Sequence, residues 1–183
     1  MMQARDRLLD AAVSHALDSG IVDLSLRQIA VAIGTSHRML IYHFGSREGL
    51  LVAVVREVER REREKISWES VSPDDARRTW ERLIDPSLRS QERLFFEIYV
   101  HALLGRPGTE GFLQEALEGW IAPVVDSLKS SRLESDDARA FARLGIAVTR
   151  GLLLDLLATD DTAGVTRAYQ LFASLLEQAS TNS

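Results

Sequence analysis

Apolar residues recur at helical spacing through almost the whole chain, and this periodicity constrains the possible folds more than any other feature. The first such run ends at Gly20, a typical helix stop. Its apolar members are Leu8, Leu9, Ala12, Val13, Ala16 and Leu17. No alternation of apolar and polar residues indicates a strand. The sequence therefore predicts an all-α fold.

Two short helices follow the first one, separated by a turn that contains Gly34. Ser25 with Gln28 three residues later is a capping box, and it predicts a helix that ends near Ile33. Ser36, preceded by Thr35, offers a second N-cap for a helix that runs to about His43. Two helices of this size and spacing are typical of a helix-turn-helix, whose second helix enters a DNA major groove.

A longer helix opens at Ser46 and ends in the charged run Arg56–Lys65. Within this run Glu57 and Glu59 each have an arginine four residues later, so we expect a solvated helical face. Ser67–Pro73 then breaks the pattern. We therefore predict a helix-turn-helix DNA-binding domain at 1–65 and a second helical domain at 66–183.

The second domain is predicted to contain five further helices, which brings the total to about nine. They are separated by proline, glycine and serine positions. Their predicted ranges are Pro73–Asp85, Leu88–Leu104, Gly111–Ser130, Asp136–Ala158 and Ala163–Ala179.

Composition limits the class of protein. The chain has 183 residues and no cysteine, which excludes disulfides, thiol nucleophiles and thiolate metal sites. Its N-terminus has no signal-peptide core and no stretch is long enough to span a membrane, so we expect a cytoplasmic protein with no membrane role. The net charge is -5, but residues 1–65 hold 10 of the 22 basic and 9 of the 27 acidic residues. Only this first third has a balance suited to DNA.

The residues of the first third resemble the tetracycline-repressor (TetR) family of bacterial regulators. The matching text is Leu26–Ser36, then Leu40, then His43-Phe44, then Ser46–Leu51. Three positions differ from the commonest pattern of the family. Arg38 replaces a Gly or Ala, Ile41 replaces a phosphate-contacting Tyr, and Arg47 replaces a Lys. The resemblance implies the fold of that family, with a helix-turn-helix domain followed by a larger ligand-binding and dimerisation domain.

DNA binding by such a unit divides into phosphate contacts and base reading. We expect phosphate contacts from helix starts and from polar side chains, namely Ser25, Arg27, Ser36, Tyr42 and Arg47. Base-edge candidates lie near the start of the third helix: Thr35, His37 and Arg38. Arg38 is suited to guanine, and Thr35 to a thymine methyl group.

The segment Phe141–Leu157 is apolar on nearly all sides, so every face must be covered. In a chain this short, a second copy is the expected cover for one face, and the resemblance implies a dimeric four-helix bundle built from the last two helices. The resemblance also implies a pocket for a small-molecule effector in the middle helices. The residues expected near that pocket are Tyr99, His101, Trp120 and Thr149. Core packing is the alternative for most aromatic residues there.

No catalytic motif is present. The chain lacks a His-Glu-x-x-His sequence, a glycine-rich phosphate loop and a Gly-x-Ser-x-Gly elbow. We therefore predict a non-enzymatic regulator with no cofactor and no metal. Its expected partners are a pseudo-palindromic double-stranded DNA operator, an unidentified small-molecule effector and a second copy of the chain. The alternative is an all-helical homodimeric ligand-binding or protein-interaction module whose helix-turn-helix no longer binds DNA specifically.

Overall fold

The computed structural model describes residues 4–66, 73–128 and 135–181, and within these ranges it contains nine α-helices and no strand. The predicted all-α fold is confirmed. A 3₁₀ turn, Pro86–Leu88, precedes α6. The helices are α1 Ala4–Ser19, α2 Leu26–Ala32, α3 His37–Phe44, α4 Arg47–Glu64, α5 Pro73–Leu83, α6 Arg89–Leu103, α7 Phe112–Ser127, α8 Ser135–Thr159 and α9 Thr162–Thr181.

The predicted helix ends of the first third are confirmed. Gly34 and Gly45 have φ angles of +69° and +76°, which only glycine adopts without strain. They allow sharp turns after α2 and α3. The predicted break at 67–72 lies outside the described residues.

The helices form two compact units, and each unit is built from two separate stretches of the chain. The first unit contains Met1–Lys65 and Ser90–Ala116, and the second contains Ile66–Arg89 and Leu117–Ser183. The first unit therefore takes a later segment, most of α6 and the start of α7, in addition to the four N-terminal helices. The functional boundary at residue 65 stays a prediction.

The first unit has a continuous apolar core. Helix α4 contributes most of it, because six consecutive residues from Leu50 to Val55 are buried. Helices α1, α2 and α3 contribute Val13, Ile29 and Leu40, each fully buried. The later segment adds Leu94, Phe95, Ile98, Phe112 and Ala116 to the same cluster.

The second unit is organised around an aromatic pair. Trp80 on α5 is 1% exposed and stacks on Tyr169 of α9, with ring centroids 4.5 Å apart and planes 6° apart. The Tyr169 hydroxyl donates to the Ala76 carbonyl at 3.2 Å, and burial raises the pKa of this phenol. Thr166 accepts from the Trp80 indole at 3.4 Å. These contacts fix α5 against α9.

The charged end of α4 is a network of ion pairs at the predicted spacing. The Glu57 carboxylate forms ion pairs with Arg60 and Arg61, each at 2.7 Å, and Arg63 lies 3.8 Å from Glu59. Arg60 and Arg61 lower the pKa of Glu57 to about 2, because they stabilise its carboxylate. In the part of the chain that the structure describes, no helix is both long and apolar enough to cross a membrane.

Candidate nucleic-acid interface

Helices α2 and α3 are joined by a tight turn that the sequence specifies residue by residue. The Ser25 N–H donates to Gln28 Oε1 at 2.9 Å, and the Gln28 N–H donates to Ser25 Oγ at 3.3 Å, so the predicted capping box is confirmed. In the turn, the Thr35 N–H donates to the Ala30 carbonyl at 2.8 Å. Ser36 then caps α3 by accepting from the Met39 N–H at 3.2 Å. The result is the geometry of a helix-turn-helix.

Helix α3 has one buried face and one exposed face. Leu40 is fully buried and anchors the helix in the core. At about 100° per residue, Arg38 and Tyr42 each lie about 160° from Leu40 and only about 40° from each other. Both are exposed, Tyr42 to 79%. These two side chains therefore form the centre of the outward face of α3.

Besides Arg38, the predicted base readers are His37 and Thr35, whereas Tyr42 was predicted to contact phosphate. His37, in the first turn of α3, is exposed, whereas Thr35 in the preceding turn is half-buried. Ile41, which stands where the family pattern has a tyrosine, is 41% exposed. Tyr42 is held by its neighbour, since its ring lies 4.9 Å from that of His43 in an edge-to-face arrangement.

The predicted phosphate contacts differ in how free they are to bind. The Ser25 hydroxyl donates its proton to Gln28 Oε1 at 2.7 Å, so the capping box already uses it. The Ser36 hydroxyl only accepts a bond, and within the described ranges its proton has no partner. Arg27 is exposed and forms no ion pair with any described residue. Of these three residues, Ser36 and Arg27 are the better placed for a phosphate.

Arg47 has internal partners that the sequence did not reveal. Its Nε donates to the Leu24 carbonyl at 2.9 Å, and its Nη2 donates to the Val22 carbonyl. Its guanidinium also lies 3.7 Å from Glu97 and 3.9 Å from Glu48. Arg47 therefore ties the start of α4 to the loop before α2. Its contact with phosphate stays a prediction.

A further arginine, absent from the sequence prediction, lies at the other end of α3. The Arg5 Cζ atom lies 5.2 Å from the centroid of the Phe44 ring, over the last residue of the helix. This is the distance of a cation–π contact. Its sequence signal is weak, because nothing in the spacing of Arg5 and Phe44 indicates that α1 begins beside the end of α3.

Two glycine contacts set the position of α4 against α3. A Cβ atom on Gly49 would lie 2.2 Å from the Phe44 carbonyl oxygen, so α3 and α4 approach closely only because residue 49 is glycine. Gly108, in the loop after α6, packs on the same turn: its Cβ would lie 3.1 Å from the Gly49 nitrogen and from Ser46 Oγ. Arg56 adds an ion pair to Glu115 at 2.7 Å.

The four predicted effector residues do not fall in one unit. Tyr99 and His101 are half-buried on α6 in the first unit, and Trp120 and Thr149 are half-buried on α7 and α8 in the second. The Nδ1 atom of His101 is buried without a hydrogen-bond partner among the described residues. The effector pocket stays a prediction. No group of three or more potential metal ligands occurs in the described ranges.

Residues 8–54 match the family model of the bacterial regulatory proteins of the tetR family. The N-terminal helix-turn-helix is therefore of the type found in the tetR family. This match covers α1, α2, α3 and the first part of α4, the same helices that build the helix-turn-helix described above. No curated protein sequence matches the chain.

Solved structures extend the likeness in fold over almost all of the chain. A transcriptional regulator from Rhodococcus sp. superposes with a TM-score of 0.76 at 17% identity, over 97% of each chain. A TetR-family member from Streptomyces coelicolor gives 0.65 at 25% identity, over 94% of this chain and 98% of its own. The multidrug binding protein EbrR, complexed with imidazole, gives 0.61 at 28% identity, over 93% and 88%. The predicted TetR-like fold is therefore confirmed for the residues that the structure describes.

Proposed function

We propose that this protein is a cytoplasmic TetR-family transcriptional repressor that binds a pseudo-palindromic operator as a homodimer. The outward face of α3, centred on Arg38 and Tyr42, carries the proposal. Both side chains are exposed, and Leu40 holds the helix in the core from the opposite side. An arginine at this position can bond to both acceptors on the major-groove edge of a guanine.

The proposed base and phosphate contacts are separable by chemistry. Arg38, His37 and Thr35 lie at the start of α3, the end that meets base edges in a helix-turn-helix complex. Arg27 and Ser36 supply a charge and a hydroxyl proton for phosphates. We therefore expect sequence preference to depend on the first group and overall affinity on both.

The apolar outward faces of α8 and α9 support a homodimer. On α8 one stripe of exposed positions at helical spacing holds only small residues and leucine, and the charged Arg143 and Asp155 lie beside it. The stripe consists of Ala140, Leu144, Ala147, Gly151, Leu154 and Ala158. On α9 a similar exposed stripe consists of Gly164, Ala168, Leu171 and Leu175. Leu154 and Leu171 are 51% and 62% exposed in the single chain. A continuous apolar face of this kind is suited to a self-complementary contact with a second copy.

Release by a small organic effector completes the proposal. EbrR is a multidrug binding protein whose structures are complexed with imidazole and with proflavin. We propose that Tyr99, His101, Trp120 and Thr149 contribute to effector binding in this chain. An effector that binds a non-DNA-binding state of the dimer more tightly lowers operator affinity by that difference in binding free energy.

Selection from a random DNA pool, followed by fluorescence anisotropy on the enriched duplex, tests DNA binding. We expect a pseudo-palindromic sequence, two chains per duplex and selectivity over scrambled DNA that survives added salt. Arg38→Ala should lose about 1–3 kcal/mol on this duplex and relax preference at one base pair, whereas Arg27→Ala should weaken all sequences alike. Equal losses on enriched and scrambled DNA for Arg38→Ala would show that this side chain does not read a base.

Failure to enrich any sequence, with weak binding that salt abolishes, would favour the second hypothesis, a helical binding module without specific DNA recognition.

Sedimentation velocity tests the dimer separately. We expect the wild type to be a dimer and Leu154→Glu to be a monomer, because a charge would be buried in the apolar contact. Val31→Glu is the matched control, since Val31 is 80% exposed but lies on α2. A Leu154→Glu variant that stays dimeric would place the interface elsewhere.

A further inference from the structure

Arg5 carries a positive charge beside the recognition helix that the contacts proposed above do not use. It lies in the first turn of α1 and is exposed, with its guanidinium over the ring of Phe44. The negative face of an aromatic ring attracts a cation and limits where the arginine head can lie. Because Phe44 is the last residue of α3, this contact holds the charge at the C-terminal end of the recognition helix.

The charge of Arg5 is not neutralised by a neighbouring carboxylate. Across residues 4–66, 73–128 and 135–181, no acidic side chain forms an ion pair with it. Arg47 and Arg56 differ in this respect, since Arg47 lies beside Glu97 and Arg56 pairs with Glu115. Arg5 therefore resembles Arg27 and Arg38, which are also exposed and without ion pairs among the described residues. An exposed arginine without a carboxylate partner keeps its full charge for an anion.

The position of Arg5 relative to α3 indicates which part of DNA it meets. In a helix-turn-helix complex the N-terminal residues of the recognition helix contact base edges. Phe44 lies about 40° from Leu40 and about 160° from Tyr42 around α3, so Arg5 lies at the end of this helix and not on its outward face. There we expect it to meet the sugar–phosphate backbone beyond the edge of the groove rather than base edges. Arginine binds a phosphate through parallel N–H donors, which a stacked guanidinium leaves free at its edge.

We propose that Arg5 binds a DNA phosphate at the C-terminal end of α3, and that the Phe44 ring positions it. This proposal rests on the DNA-binding function proposed above. It assigns to α1 a role in DNA contact that its sequence does not reveal. The competing role is purely structural: a cation near the last turn of α3 also interacts favourably with the helix dipole.

The salt dependence of binding separates these roles. The wild type, Arg5→Ala, Arg5→Lys and Arg7→Ala are compared on the duplex enriched by the wild type. The slope of log affinity against log salt is negative, and each lost phosphate contact reduces its magnitude by about 0.9, so the slope of a dimer lacking two contacts is smaller in magnitude by about 2. Between about 50 and about 200 mM salt, the wild type should lose about 12-fold more affinity than Arg5→Ala.

Two controls keep the charge and the helix constant. Arg5→Lys retains the charge and should retain most of the wild-type slope. Arg7 is exposed on α1 about 160° around the helix from Arg5, so Arg7→Ala removes the same charge from the wrong side and should leave the slope unchanged. A methylphosphonate scan of one half-site then locates the contact. One neutralised phosphate should weaken the wild type and have no further effect on Arg5→Ala.

Each contrary result has a distinct meaning. A lower melting temperature for Arg5→Ala with an unchanged salt slope would overturn the proposal and leave only the structural role. Equal slope changes for Arg5→Ala and Arg7→Ala would show a general effect of charge rather than a contact. An altered preference for flanking A·T pairs, without a single sensitive phosphate, would place Arg5 in the minor groove instead. If the wild type enriches no sequence, the DNA-binding function fails, and the Arg5 contact fails with it.

Discussion

Replacing Gly49 by alanine tests whether the close approach of α3 and α4 is built into the sequence. The new Cβ atom would lie 2.2 Å from the Phe44 carbonyl oxygen. Carbon–oxygen contacts normally stay beyond about 3.3 Å, so the two atoms must separate by about 1 Å. The Phe44 carbonyl belongs to the backbone at the end of α3 and cannot rotate away as a side chain could. Either α3 or the first turn of α4 must therefore move.

Two opposing terms set the size of the effect. Alanine is favoured over glycine in a helix by at most about 1 kcal/mol. Overpacking a fitted contact costs about 1–3 kcal/mol. We therefore expect Gly49→Ala to lower the free energy of unfolding by up to about 2 kcal/mol. For a chain of this size the melting temperature should fall by up to about 8 °C.

Gly145→Ala in α8 is the matched control, because nothing lies within 4 Å of the Cβ atom that it adds. It gains the helix preference without the overlap, so its melting temperature should stay unchanged or rise. Both variants are compared by calorimetry at one protein concentration, since the stability of a dimer depends on concentration. A Gly49→Ala protein as stable as Gly145→Ala, with unchanged operator affinity, would refute the argument.

Two further substitutions test individual contacts. Arg47→Met should lower the free energy of unfolding in urea by about 1–3 kcal/mol, because the carbonyls of Leu24 and Val22 lose a charged donor. Arg27→Met should cost under about 0.5 kcal/mol, and equal costs would show that the Arg47 bonds contribute nothing. Glu57→Gln should cost about 1 kcal/mol at neutral pH, because it removes the ion pair with Arg60. The pKa of Glu57 is lowered from 4.5 to about 2, so this stabilisation is complete above pH 4.5 and disappears as the pH falls towards 2. A difference between wild type and Glu57→Gln that persists unchanged in acid would contradict this assignment.

Local sequence signals predicted the helix-turn-helix well because its determinants are close in the chain. The capping pair Ser25 and Gln28 is three residues apart, and Gly34 ends α2 by its own conformational freedom. Such signals act within one turn of helix and can be read without a fold. They also place Arg38 on the exposed face of α3 once the helix is known.

Contacts between distant residues were not predictable in the same way. Arg47 was expected to add charge at a DNA contact, but its guanidinium bonds to carbonyls more than twenty residues earlier in the chain. The contact of Arg5 with Phe44 depends in turn on how α1 packs against the helices that follow it. Neither contact has a local pattern, because both depend on the packed arrangement of four helices.

The N-terminal unit also depends on a segment that the sequence assigned to the second domain. Leu94, Phe95, Ile98 and Phe112 are buried in the same cluster as Leu50. Burying one large apolar side chain contributes about 1.5–3 kcal/mol, so these four contribute about 6–12 kcal/mol. This contribution is comparable to the net free energy of unfolding of a typical domain, about 5–15 kcal/mol. A fragment of residues 1–65 should therefore lack a cooperative unfolding transition by circular dichroism, although it holds the whole helix-turn-helix. A cooperative transition in that fragment would show that α4 can cover its apolar side without α6 and α7.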